Sequence, residues 1–299
     1  MIKLEKNTGD PPSKHGRPAS RPGKSTRPRE LSHGDPRPRN SASKKVWTTL
    51  CWRVLVFCAG LLSAPAIAAG EVLVAVATNF LPAAQAIGTS FAEHSGHKAS
   101  FASASTGAHF AQIRHGAPFD VFLAADQARP RELVELGLAE AGEQFTYAVG
   151  ELVLWSRENN ALSAGGRETL ARGQFRRLAL ANPALAPYGA AAKEVLQAWA
   201  LWDTVKSKLV FGQNVGQTHI LVATGNAELG FVSRSMLIAG GQSGVGSIYP
   251  LQRSEHAPIR QDALLLRRAV GNPAAAAFAA FLRSPPSQEI IRRFGYQVP

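Results

Sequence analysis

Four times in this chain a short apolar run gives way to a small polar turn and then to a pattern that starts a helix. The first is Glu71 to Pro82, EVLVAVATNFLP, where seven strand-like residues meet Thr78-Asn79 and a helix can begin at Leu81 and Pro82. The second carries Lys98 to Ala104 into Ser105-Thr106-Gly107. The third carries Leu178 to Ala181 into Asn182 to Gly189, and the fourth carries Lys208 to Phe211 into Gln213 to Thr218. Strands alternating with helices at this spacing predict βαβ units and parallel sheets, an α/β protein. Each junction leaves backbone N–H groups at a helix start pointing outward, with the positive end of the peptide dipoles behind them. Such a place seats anions. The plainer reading is that Thr78 or Asn79, and the hydroxyls of the second turn, only cap their helices.

Between and after these junctions the pattern predicts a buried strand at Phe119 to Ala124 and a helix beginning at Asp126, whose carboxylate suits a cap. Phe145 to Trp155 is longer than the other strands and is interrupted by Gly150, as where a chain crosses between lobes. Ile259 to Leu266 reads as the return strand, and Ala274 to Leu282 and Ser287 to Phe294 as two closing helices. The expected division is lobe I over residues 70–149 and 249–299 and lobe II over 150–248, hinged near Tyr147 to Glu151 and Gly246 to Gln252.

The formal charge of +12 is concentrated at the start of the chain. Residues 1–69 hold 13 Lys and Arg against 4 Asp and Glu, whereas residues 70–299 hold 20 against 17. The near balance of the globular part removes the main electrostatic argument for nucleic acid as a partner. Residues 1–45, rich in Pro, Arg, Lys and Ser, have too few large apolar side chains to offset chain entropy and are expected to be disordered. Residues 46–69 then read as a signal peptide: Lys44, Lys45 and Arg53, an apolar run, and Ala66 and Ala68 spaced for cleavage near Ala68 or Ala69. The run from Val54 is broken by Pro65, short of the about 20 residues a spanning helix needs. A translation start later than Met1, at Leu31 or Val46, would account for the long basic tract. Both cysteines, Cys51 and Cys58, lie inside this segment, so the exported chain is expected to hold no disulfide, thiolate metal site or Cys nucleophile.

Open α/β sheets bind ligands outside the carboxyl ends of their strands, where all four turns lie. None of the turns contains Lys, Arg, Asp or Glu. An anion there would be held by the hydroxyls of Thr78 and Thr106, the amide of Asn79, and backbone N–H groups around Thr106, Tyr188 and Val215. This suits a small hydrated dianion, whose removal from water is offset only by several aligned hydrogen bonds to each oxygen.

The runs VAVATNF (Val74 to Phe80), SASTGAHFAQI (Ser103 to Ile113), GAPFDVFLAAD (Gly116 to Asp126), FTYAVGELVLWS (Phe145 to Ser156), ANPALAPYG (Ala181 to Gly189), NVGQTH (Asn214 to His219) and ELGFV (Glu228 to Val232) occur in this order. Together they resemble the periplasmic molybdate-binding proteins of molybdate ABC transporters, over essentially residues 70–299. The resemblance implies a two-lobed periplasmic-binding-protein type II fold with the ligand between the lobes, and no enzymatic activity or cofactor. It implies molybdate or tungstate as ligand, a membrane ABC permease as partner, a periplasmic location and a monomer. It places the ligand contacts on Thr78, Asn79, Thr106, Tyr188 and Val215, the last through its main-chain N–H. Position 106 departs from the family branch most resembled, which more usually has Ser there; the extra methyl enters a tight pocket. Another branch takes its Tyr from the strand matching Phe231 to Ser233, which has none here.

Three other readings compete. A receptor of the same class for another oxyanion, such as sulfate, shares every feature above. A secreted hydrolase would pair His219 and Asp126 with a Ser or Thr, but no G-x-S-x-G elbow, H-E-x-x-H or metal-ligand spacing is present. The effector domain of a transcriptional regulator would need a helix-turn-helix, for which residues 1–45 have no apolar periodicity. Mass spectrometry of the protein from its native compartment should find an N-terminus near Ala69 or Gly70; a retained basic tract would overturn the export reading.

Overall fold

The computed structural model describes residues 69–299, and the readings made for residues 1–68 lie outside the described residues. The first sheet contains β1 (Glu71–Ala77), β2 (Lys98–Ala104), β3 (Val121–Leu123), β4 (Ala139–Gly150) and the last strand of the chain, β10 (Ile259–Leu266). Its order is β2-β1-β3-β10-β4. β1 is parallel to both β2 and β3, whereas β10 runs antiparallel to β3 and β4. The second sheet contains β5 (Leu152–Ser156), β6 (Leu178–Ala181), β7 (Leu209–Gly212), β8 (Leu229–Ser233) and β9 (Ser247–Pro250), in the order β7-β6-β8-β5-β9. It repeats the pattern, with β6 parallel to β7 and β8 and with β5 antiparallel to β8 and β9. Two sheets flanked by helices make the mixed α/β architecture expected from the alternation of strand and helix.

Position within the sheet explains the strand sequences. β1 lies between two parallel neighbours and is covered on both faces, so Val72, Val74, Ala75 and Val76 form an almost unbroken buried run. On one face of the first sheet pack α1 (Leu81–Ser95), α9 (Pro273–Leu282) and α10 (Pro285–Arg293), joined by Phe80, Phe91 and Phe278. On the other, α2 (Thr106–Arg114) and α3 (Ala128–Glu135) contribute Ile113 and Leu133. The second sheet carries α4 (Gly166–Arg172), α5 (Pro187–Ala198) and the short α6 (Trp202–Val205) around Leu170, Val195 and Leu196 on one side. α7 (Val215–Ala223) and α8 (Arg234–Ala239) cover Trp155 with Val222 and Leu237 on the other.

The crossings differ in detail from the sequence reading. The long run is two strands: β4 begins at Ala139, well before Phe145, and the chain passes through Glu151 into β5. The segment Ser247–Pro250, inside the second expected hinge, is an edge strand of the second sheet, and the return crossing runs over 251–258 before β10. Neither α4 nor α8 was expected, because each is too short to show helical periodicity.

Phe91 is fully buried, its ring 5.3 Å from Phe278 and 5.6 Å from Phe281. Phe91→Ala should lower unfolding stability by about 3–5 kcal/mol in chemical denaturation, as large-to-small core changes do. A loss below about 1 kcal/mol would show that α1 and α9 do not share a packed core.

Candidate functional site

All four junctions meet at one place. Thr78 and Asn79 from the end of β1, Ser105 and Thr106 at the start of α2, Ala186 to Tyr188 at the start of α5, and Asn214 and Val215 at the start of α7 border a single cavity, closed below by Ala77 and Ala125. The cavity is small, about 10 Å³ measured to the centre of a water-sized sphere, room for roughly one water. The five residues singled out from the sequence, Thr78, Asn79, Thr106, Tyr188 and Val215, all border it.

Each junction exposes donors in its own way. After β1 the chain makes one 3-10 turn, Thr78–Phe80, before α1. Neither that turn nor α1 has a side-chain cap, so the reading of Thr78 or Asn79 as a helix cap does not hold. Phe80 pins the turn instead, its ring 4.6 Å from Tyr147 and 5.2 Å from Tyr296. At α2 the cap is Ser105, whose Oγ accepts from the Ala108 N–H at 3.3 Å. At α7 it is Asn214, accepting from the Gln217 N–H at 2.9 Å. At α5 Pro187 occupies the first turn, where a missing N–H removes no bond. Thr106, Tyr188 and Val215 therefore stand at first or second helical positions, whose N–H groups have no carbonyl one turn back. No acceptor for these three N–H groups is found among the described residues.

The side chains divide into those that face the cavity and those that are engaged elsewhere. Thr106 Oγ1 accepts from the Ala125 N–H at 3.0 Å, which leaves its own hydrogen to donate. Thr78 Oγ1 donates to the Ala104 carbonyl at 3.0 Å. The Asn79 amide, expected from the sequence to face the anion, has both hydrogens engaged here: Nδ2 donates to Gln261 Oε1 at 2.8 Å and to the Tyr296 hydroxyl at 3.0 Å. The Tyr188 hydroxyl accepts from Gln261 Nε2 at 3.3 Å, and Gln261 does not border the cavity. Gln261, Tyr296 and Ser235 were missed, because nothing in their local sequence marks residues 182 and 217 positions beyond Asn79 as its partners.

No Lys, Arg, His, Asp or Glu borders the cavity. Nearby Arg129 is ion-paired with Asp126 and donates through Nη2 to the Ala184 carbonyl at 2.9 Å. Asp126 also accepts from the Arg129 N–H at 3.0 Å and so serves the first turn of α3 from one residue ahead of the cap position, which is Gln127. His109, on the buried face of α2, sits between the Val76 carbonyl at 3.2 Å and the Gln112 amide at 3.0 Å. Its burial lowers its pKa and keeps the ring neutral. His219 stacks on Trp155 and meets Gln242 at 2.5 Å, away from Asp126, so the hydrolase pairing is not formed. Among the described residues no cluster of His, Cys, Asp or Glu could hold a metal ion, and no helix is long and apolar enough to cross a membrane.

The two sheets meet across this cavity. The Gly107 N–H donates to the Leu185 carbonyl at 2.9 Å, and Ser235 Oγ to the Asn79 carbonyl at 3.1 Å. Glycine is needed on both sides: a Cβ on Gly216 would lie 2.5 Å from Thr78 Cγ2, and one on Gly107 would lie 2.9 Å from the Leu185 carbonyl oxygen.

Paired α/β sheets with converging helix starts and an uncharged cavity between them define a two-lobed solute receptor, and the chain belongs to the bacterial extracellular solute-binding protein family, whose model matches residues 72–297. Its relatives bind solutes rather than transform them. It is 45% identical over 243 residues to the molybdate-binding protein ModA of Azotobacter vinelandii, covering 81% of this chain and 96% of that protein. It is 44% identical over 235 residues to the molybdate-binding protein ModA of Rhodobacter capsulatus, covering 79% and 91%. The solved periplasmic molybdate-binding protein of Azotobacter vinelandii superposes with a TM-score of 0.73 at 35% identity, covering 77% of this chain and all of that one.

Gly216→Ala should hold the lobes apart. Overpacking by a methyl costs about 1–3 kcal/mol, so solute affinity should fall roughly 5- to 150-fold in calorimetry while the unliganded melting temperature stays within a few degrees. Unchanged affinity would mean that Thr78 and Gly216 do not meet in the occupied state.

Proposed function

We propose that this chain is a periplasmic receptor that captures molybdate, and tungstate with it, and delivers the anion as a monomer to a membrane ABC permease. The observation that carries this is the convergence of unpaired main-chain N–H groups and the Thr106 hydroxyl on a cavity with no ionised side chain on its wall. The relatives named as molybdate-binding proteins support the choice of anion. In this reading Thr106, Tyr188 and Val215 donate main-chain N–H groups to the oxygens, and Thr106 adds its hydroxyl. Thr78 adds its hydroxyl by turning it from the Ala104 carbonyl, and Asn79 contributes its main-chain N–H. Lobe I, over residues 70–149 with the C-terminal segment from about 251, and lobe II, over about 150–250, open at the two crossings to admit a four-oxygen anion and close again on it. Uncharged donors hold such an anion by number and alignment, and size then sets selectivity, since a smaller tetrahedral anion meets the same ring at stretched distances.

Calorimetric titration of the exported chain with molybdate, tungstate and sulfate tests the reading. Molybdate and tungstate should bind and sulfate should give no heat; sulfate binding without molybdate binding would transfer the receptor to another oxyanion. Thr106→Val removes a hydrogen bond to a charged ligand, so affinity should fall about 10- to 150-fold, the factor for 1.5–3 kcal/mol. Thr106→Ser keeps the hydroxyl, frees the space of one methyl, and should retain molybdate affinity with an undiminished preference over sulfate, since a roomier seat stretches the bonds to the smaller anion further.

A further inference from the structure

Gln261 is fully buried on β10 and touches both lobes. Its Oε1 accepts from Asn79 Nδ2 at 2.8 Å and from the Tyr147 hydroxyl at 3.2 Å, while its Nε2 donates to the Tyr188 hydroxyl at 3.3 Å. Asn79 is held from behind through its side-chain Nδ2 and its main-chain carbonyl. Its second amide hydrogen goes to Tyr296, and its carbonyl accepts from Tyr296 at 2.7 Å and from Ser235 at 3.1 Å. Asn79 and Tyr147 belong to the first sheet and its turn, whereas Tyr188 and Ser235 belong to helices of the second. The contact depends on the crossing itself: a Cβ on Gly150 would lie 2.0 Å from the Tyr188 hydroxyl and 2.6 Å from Gln261 Nε2.

We propose that Gln261 is a positioning residue that couples the anion seat to lobe closure, and that the Tyr188 phenol serves this coupling rather than the anion. Asn79 presents its main chain to the cavity only while its side chain is held by Gln261, and Gln261 satisfies its own amide only when α5 brings Tyr188 to the crossing. Closure and the correct pose of Asn79 are therefore one event. Burial raises the pKa values of Tyr147, Tyr188 and Tyr296, so all three stay neutral donors and acceptors. The inference rests on the oxyanion reading of the cleft.

The test is a double-mutant cycle on the exported chain with Tyr188→Phe, Gln261→Leu and the double variant, read by molybdate titration and by the rate of molybdate release. Each single variant should bind about three- to tenfold more weakly, the range for one net hydrogen bond, with the change in the release rate. The double variant should bind no more weakly than Gln261→Leu alone. Additive losses would overturn the coupling, and so would complete loss of molybdate heat in a folded Tyr188→Phe, which would make the phenol a direct ligand. Hydrogen exchange at residues 148–152 in the same proteins without anion provides a second readout. Tyr188→Phe should raise exchange there, and the double variant no further than Gln261→Leu; unchanged exchange in Tyr188→Phe overturns the proposal even where Gln261→Leu does not fold. A wild-type chain that binds no molybdate but shows this exchange pattern would bring down the choice of anion and leave the coupling in place.

Discussion

Peptide N–H groups at the first turn of a helix have no carbonyl to bond, and this structure brings the starts of α2, α5 and α7 against the turn after β1 around a cavity with room for roughly one water. Burying such donors together is unfavourable unless something accepts from them. The contacts between the sheets recover part of that: Gly107 to Leu185, Ser235 to Asn79, and Gln261 to Tyr188. They satisfy donors and acceptors around the rim and behind the cavity, and leave those facing its centre. A closed cleft of this kind is therefore incomplete by itself. An acceptor with several oxygens removes the deficit, so ligand binding and closure favour one another without any ionised side chain at the seat.

Much of this was legible in the sequence because it is local. The apolar run Val72 to Val76 announces a strand buried on both faces, and the break after it announces a turn at the strand's carboxyl end. The caps were half legible. Ser105 and Asn214 do cap, and in doing so each takes up one N–H of its helix and leaves the residue after it, Thr106 or Val215, with a free one. Thr78 and Asn79 look like the same signal, but a 3-10 turn replaces the cap and Phe80 anchors it by packing. A cap and an anion seat use the same residue types, and only the path of the backbone tells them apart.

The part that was not legible is the part that depends on distant pairs. No periodicity connects Gln261 or Tyr296 with Asn79, so the side-chain amide looked free to face the ligand, whereas it is committed to the interior. The strand Ser247–Pro250 was hidden for a related reason: it is a four-residue edge pairing only with β5, and an edge strand needs no alternating pattern to form. Short helices such as α8 owe their existence to the sheet they cover, not to their own propensity.

Keeping charge away from the seat has a consequence for release. A buried cation would attract a dianion strongly in a low-dielectric cleft, and would stand uncompensated whenever the cleft closed empty. Here a guanidinium beside the start of α2, that of Arg129, is neutralised by Asp126 and spent on the Ala184 carbonyl at the boundary between the lobes. Main-chain donors lose their hold together when the lobes part, because half of them, on α5 and α7, travel with the second sheet. The grip on an anion is then controlled by a single motion. A receptor that must surrender its cargo to another protein is served by donors that are strong only when assembled.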